Sequence, residues 1–268
     1  IKLLILSIDI FLIDNNSIKS SMSKSQSTKK KKESIQSKNG KKSISSIFEN
    51  YISRKYTGVV IATIYFVVIG LISFIFHTVG DYGIETDFFW GYVPSAKKFL
   101  TGEILVDAFR GPLYPMVLGI FGFILGDFFH AGIFIAVLSA SVLVYITFEL
   151  LKKIFSPVVS FFFTILFTVN LLFIQYSYSA GTDMFFNALA VLTLFFFFKN
   201  KELSYKNLML AAFFGGLSYL TRYNGIFLTS FVFVILFVNS WNLSWINRIK
   251  ASLVFVVVFV ITFSPWGF

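Results

Sequence analysis

Cysteine is absent from the 268 residues, which excludes disulfides, thiolate metal sites and thiol nucleophiles. Two histidines, His77 and His130, are too few for a histidine-built metal centre. Charge is scarce as well: 13% of residues are charged, against 56% hydrophobic and 37 phenylalanines. No soluble domain needs that composition, and the chain reads as a membrane protein. Chemistry is left to carboxylates, lysine, arginine, tyrosine and backbone groups.

The net charge of +10 looks like a nucleic-acid signal until it is located. Residues 1–58 hold twelve Lys/Arg against four Asp/Glu, and the remaining 210 residues are almost neutral. Within this arm "SMSKSQSTKKKKESIQSKNGKKSISS" is Ser/Lys-rich and lacks an apolar period. It predicts a disordered basic segment lying on an anionic membrane surface, not a nucleic-acid-binding domain. The opening "IKLLILSIDIFLID" has no initiator Met and is too short to span a bilayer. It reads as a signal-like stub, an interfacial anchor, or translated sequence preceding a start at Met22.

A spanning helix needs roughly 20 apolar residues. Seven stretches qualify, at about 59–80, 130–151, 155–175, 183–199, 206–221, 224–240 and 250–266. An eighth, "LYPMVLGIFGFILG" at about 113–126, is shorter and carries Pro115, Gly119, Gly122 and Gly126, so it reads as interfacial or re-entrant. Charge supports this count. With the arm cytoplasmic and the short run not spanning, Lys152, Lys153, Lys199, Lys201, Lys206, Arg248 and Lys250 all fall on the cytoplasmic side. The opposite side receives Asp81, Glu85, Asp87, Glu103, Asp107, Asp127 and Asp183, with Lys97, Lys98, Arg110 and Arg222 as its cations. The expected fold is an all-α integral membrane protein of about seven transmembrane helices. Residues 1–58 form the arm and 59–268 the membrane module, with a long first external loop at about 81–130.

That loop is crowded. Phe89, Val93, Ala96 and Leu100 recur at helical spacing, predicting an amphipathic surface helix over 88–100 with Lys97 and Lys98 reaching toward headgroups. A second helical stretch is expected after Thr101 and Gly102. Asp87 stands where a helix N-cap would stand; Asp183 opens the fourth span in the same way, and Arg110 and Arg222 have the bland reading of headgroup anchors. Taken together, the external turns bring carboxylates, arginines and tyrosines to one membrane face. Such a set suits activation of a hydroxyl acceptor beside an anionic, lipid-linked phosphate leaving group.

In "ETDFFWGYVPSAKKFLTGE", "RGPLYPMVLGIFGFILGD", "AGTDMFFNALAVL" and "GLSYLTRYNG", taken in that order, the chain resembles the GT-C glycosyltransferases. It looks most like the prokaryotic branch related to protein O-mannosyltransferases and the aminoarabinose lipid transferase. The resemblance covers about residues 59–268. It implies a cell-membrane enzyme, with a cytoplasmic N-terminus, that transfers a sugar from a polyprenyl-phosphate donor to a protein, lipid or glycan acceptor. By this resemblance Asp87 matches the essential first-loop aspartate and would act as base or orienter of the acceptor hydroxyl. Asp183 matches an acidic position that binds a metal in some members, and the Glu85-x-Asp87 pair leaves a divalent cation, Mg or Mn, open. Arg110 and Arg222, and more weakly Lys97 and Lys98, match basic positions near the donor phosphate, with Tyr92, Tyr114 and Tyr223 lining the substrate. Members usually continue beyond a point equivalent to "ITFSPWGF", so a C-terminally truncated sequence is expected. A transporter or a non-catalytic assembly protein stands as the alternative; the transporter calls for charges at mid-span, whereas here they sit at span ends.

Overall fold

The computed structural model describes residues 49–79, 83–105, 107, 109–200, 202–238 and 243–266. The predicted arm therefore lies mostly outside the described residues; of its last part, Ile52 is buried in an apolar cluster with Tyr65, Val144 and Phe148.

Among the described residues the regular structure is helical, and one isolated parallel bridge, Ile84 with Ala180, is the extended pairing. The first apolar run forms α1 (Thr57–Phe76), and a π-helical turn (Phe88–Tyr92) leads directly into α2 (Val93–Leu100). The short run forms α3 (Leu113–Leu125), followed by the long α4 (Phe128–Ile154). Next come α5 (Pro157–Thr168), α6 (Leu171–Ser177) and α7 (Asp183–Phe197). The chain closes with α8 (Tyr205–Thr221), α9 (Gly225–Val238) and α10 (Trp245–Phe263).

Three helical stretches, Thr57–Phe76, Phe128–Ile154 and Trp245–Trp266, are long and apolar enough to cross a membrane. A fourth arises if α5 and α6 count as one span bent by 67°. The expected unbroken span at 155–175 is thus corrected to two pieces. The cause is local: Asn170 leaves the helical conformation and its Oδ1 accepts the N–H of Phe173, starting a new helix by capping it. At 13 residues α3 covers about 20 Å against about 30 Å of hydrocarbon, and α7 and α9, with 15 and 14 residues, are nearly as short. The left-handed C-cap of α3, Gly126, stops it sharply. Asp127 then restarts the chain, its carboxylate accepting the N–H groups of Phe129 and His130, while Lys152 and Lys153 complement the dipole at the far end of α4.

The expected second surface helix is likewise corrected. Among the described residues 103–112 are not helical and helix resumes at Leu113. Asp107 competes for the backbone here: its Oδ1 takes the N–H groups of Phe109 (2.7 Å) and Arg110 (3.1 Å), a side-chain-closed turn in place of a helical one.

An apolar cluster lies beneath the loop. Phe88, Tyr92, Tyr114, Leu118, Phe129 and Ile133 are buried together, joining the π-turn, α3 and α4. Burial of Phe88 alone is worth about 2 kcal/mol, enough to hold the loop down on the helix ends.

Candidate functional site

Residues 83–92 bring the first two acidic groups into place. The Glu85 N–H donates to the Ala180 carbonyl (3.0 Å), and the Ala180 N–H donates to the Gly83 carbonyl (2.8 Å). These bonds lay the start of the loop along the turn before α7. Phe88, buried at the same place, then seats the π-turn, whose wider coil sends both the Gly91 and Tyr92 N–H groups to the Asp87 carbonyl (2.8 and 3.1 Å).

The Asp87 side chain caps no helix. Its Oδ2 instead accepts from both Nε (3.2 Å) and Nη2 (3.0 Å) of Arg110. The third arm of the same guanidinium, Nη1, donates to Asp107 Oδ2 at 2.9 Å. Arg110 can approach this closely because Gly91 has no side chain: a Cβ there would lie 2.6 Å from Arg110 Nε. At Gly111 a Cβ would run into the Leu220 backbone carbonyl, so this segment packs directly against the end of α8. Tyr223 fastens the contact, its hydroxyl donating to the Asp107 carbonyl at 2.8 Å. The Asp107 hydrogen bond, with Asp87 adding to it against a smaller burial penalty, raises the pKa of Arg110. Burial would push the Asp107 carboxyl up, but the Phe109 N–H and Arg110 outweigh it and hold the group below the usual carboxylate range.

A second arginine repeats the arrangement. Arg222 donates through Nη2 to Glu85 Oε1 (2.7 Å) and through Nη1 to Asp183 Oδ1 (2.5 Å). Glu85 also accepts the Thr182 N–H (2.6 Å) and hydroxyl (3.0 Å). Asp183 lies in the first turn of α7, and Thr182, which precedes it, is the cap residue; the carboxylate is spent on the ion pair. Burial tends to lower the Arg222 pKa, and Asp183 and Glu85 override it upward. Each arginine is therefore shared by two carboxylates.

The structure brings most of the sequence-predicted residues together and separates others. Tyr92 is buried beneath Arg110, 5.9 Å from ring centre to guanidinium carbon; burial, then Glu85, pushes its hydroxyl pKa up. Tyr114 is fully buried against Tyr92, its hydroxyl beside the Gly181 backbone without ordinary hydrogen-bond geometry. It belongs to the floor of the site more than to its lining. Lys97 lies over the Phe128 ring and Lys98 is exposed; among the described residues neither pairs with a site carboxylate. Sequence reasoning missed Asp107 and Thr182 as partners. The Asp107-x-x-Arg110 spacing was the available signal for the first; nothing local marks the second.

A divalent cation at Glu85 and Asp183 would have to displace Arg222. Among the described residues no group of three His, Cys, Asp or Glu is placed to hold a metal. The side chains present fit an arginine there and not an ion.

Two cavities of about 410 Å³ each lie side by side, and Asp107 lines one of them. The first is an apolar trough between α3, α8 and α10, walled by Leu113, Met116, Phe213, Leu217 and Ile261. The second is half polar and is lined by Leu105, Asp107, Tyr219 and Tyr223. Pro112, Leu220 and Trp266 wall both, so apolar trough and polar head adjoin. Asp87 and Arg110 line neither; Arg110 links Asp87 to Asp107, which lines the second.

A family profile described as dolichyl-phosphate-mannose-protein mannosyltransferase matches residues 110–268, more than half of the chain. The match takes in Arg110, Tyr114, Asp183, Arg222 and Tyr223, and begins after Glu85 and Asp87. Comparison with curated proteins and with solved structures finds no match.

Proposed function

The chain belongs to the dolichyl-phosphate-mannose-protein mannosyltransferase family, membrane glycosyltransferases of the mannosyltransferase type, and on that premise we propose that it moves a sugar from a polyprenyl-phosphate donor to an acceptor hydroxyl at the external membrane face. In this reading the acceptor oxygen attacks the anomeric carbon. The bond from that carbon to the phosphate oxygen breaks, and its electron pair leaves with the phosphate. The acceptor proton passes to Asp87.

One observation carries the assignment of Asp87. Both arginine contacts fall on Oδ2, Oδ1 has no partner among the described residues, and the side chain is 48% exposed. A carboxylate held by one oxygen and open at the other is suited to orient a hydroxyl and take its proton. The adjoining cavities fit the donor: prenyl chain in the apolar trough, phosphate in the half-polar head beside Asp107, whose partner is Arg110. Arg222, already shared by Glu85 and Asp183, serves as an organiser that ties the loop to α7 and α8.

The membrane arrangement follows the same logic. We take all seven predicted segments as spans, with the N-terminus cytoplasmic and, in a prokaryote, the plasma membrane as the site. In support, the N-terminal end of α7 meets the C-terminal end of α8 through Asp183 and Arg222. At the other end of α7, Lys153 Nζ donates to the carbonyls of Phe198 and Lys199 (2.9 Å each). Acidic and lysine-bearing ends are thereby segregated, as the positive-inside rule requires.

The test is transfer of a radiolabelled sugar from a polyprenyl-phosphate donor by the membrane-embedded protein and its Asp87→Asn variant. A loss of at least about 100-fold is expected. Equal rates in the two would remove Asp87 from this role; solute flux without transfer from any lipid donor would favour a transporter.

A further inference from the structure

The half-polar cavity has an unusual feature for a phosphate pocket: a carboxylate in its wall. Asp107 lines it, and the nearest cation, Arg110, is not among the lining residues but is bonded to Asp107 and shared with Asp87. Two carboxylates thus face one guanidinium. The other groups close to Asp107 are Tyr223, bonded to its carbonyl, and Tyr219, which packs on Tyr223 at 5.5 Å. From α10 and its end, Phe263, Pro265 and Trp266 wall the cavity and carry no charge.

Donor and product differ in charge at this point. A sugar attached to polyprenyl phosphate makes a phosphodiester with one negative charge. Once the sugar leaves, the phosphate is a monoester whose second proton is lost near pH 6, giving nearly two charges at neutral pH. Arg110 can offset one of them. The second meets Asp107.

Resting on the donor reading above, we propose that Asp107 discriminates by charge between donor and product, admitting the monoanionic diester and expelling the dianionic polyprenyl phosphate. It is a specificity-determining residue that favours product release. Its carboxyl, held below the ordinary range by the Phe109 N–H and Arg110 against burial, stays charged across the pH interval in which the product titrates. At a separation of about 6 Å and an effective dielectric between protein surface and water, one extra charge pair changes affinity roughly three- to tenfold.

Binding separates this role from a structural one. Farnesyl phosphate and its methyl diester are titrated against the full chain in detergent micelles at pH 5 and pH 8. For the wild type, the monoester should weaken relative to the diester by roughly three- to tenfold on going to pH 8. Asp107→Asn keeps an oxygen for the Phe109 and Arg110 N–H groups, so the turn survives, but the pH-dependent gap should vanish. Asp107→Glu should retain it. A purely structural Asp107 would weaken both probes alike at both pH values. That result, or a wild-type monoester binding as tightly at pH 8 as at pH 5, overturns the inference while leaving the donor site standing. If neither probe binds the wild type, the donor site falls and the inference falls with it.

Discussion

Arg222 closes on Glu85 at 2.7 Å across 137 residues of sequence, joining the segment between α1 and α2 to the end of α8. Glu85 is only 16% exposed in its side chain and receives three donor groups, the Thr182 N–H and hydroxyl and the Arg222 guanidinium. Loss of that carboxylate would strand both Thr182 donors and leave Arg222 to Asp183 alone.

Glu85→Ala should therefore cost about 2–3 kcal/mol of stability, because it leaves the part-buried Thr182 donors unpaired and removes one of the two carboxylates that Arg222 is bonded to. Glu85→Gln should cost less, since an amide oxygen can still accept the Thr182 N–H. The double variant Glu85→Gln with Arg222→Gln should be less damaging than the two single losses summed. Thermal unfolding of the four proteins in one detergent checks this; strict additivity would mean the pair is not coupled.

The glycines beside Arg110 should respond differently to alanine. At Gly111 the new methyl meets the Leu220 backbone, which cannot move without shifting α8, so Gly111→Ala is expected to lose about 2 kcal/mol or more. At Gly91 it meets the guanidinium of Arg110, the far end of a flexible side chain. Gly91→Ala should lose roughly 1 kcal/mol yet depress sugar transfer strongly, by pushing Arg110 off Asp87. Parallel stability and rate measurements would separate the two; equal stability losses would count against the packing described.

Acid sensitivity follows from Asp107 and Asp127, whose carboxyls both sit below their ordinary value despite burial acting upward, held there by backbone N–H groups together with Arg110 and His130 respectively. A depressed folded-state pKa gives stability that is present above the unfolded value, about 3.9, and lost as pH falls through the folded value. The unfolding midpoint should hold from pH 6 to about 4 and decline below. Asp107→Asn should flatten that decline; an unchanged acid limb would show that Asp107 contributes nothing to it.

Topology can be read without background labelling, because the chain contains no cysteine. Single cysteines placed at Lys199 and Glu103 should react with an impermeant thiol reagent from opposite sides of the membrane. Reaction from the same side would refute seven spans.

How much of this was legible in the sequence differs by element. The helices α1, α4 and α10 rest on long apolar runs, and hydropathy finds them because nothing inside those runs competes for the backbone. The break at Asn170 escaped because averaging over a window hides one side chain that accepts a neighbouring N–H. Charge asymmetry correctly gathered Glu85, Asp87, Asp183, Arg110 and Arg222 into one neighbourhood. What it could not supply was the pairing. Position alone made Arg222 a headgroup anchor and Asp87 a helix cap, and the resemblance implied a phosphate partner in Arg222, whereas the fold pairs Arg222 with two carboxylates and leaves Asp87 uncommitted at one oxygen. Those outcomes depend on contacts 23 to 137 residues apart in the chain, beyond the reach of local pattern.

The bridge between Ile84 and Ala180 also sets an order of assembly. During synthesis the segment around Ile84 is made long before Ala180, and Arg222 later still, so Glu85 waits with its final neighbours incomplete. Long-range closure of this kind is slow, and α8 has to be made before Glu85 acquires its last counter-charge. The acidic cluster is accordingly completed late in synthesis, and a ribosome stalled before α8 would leave Glu85 without Arg222.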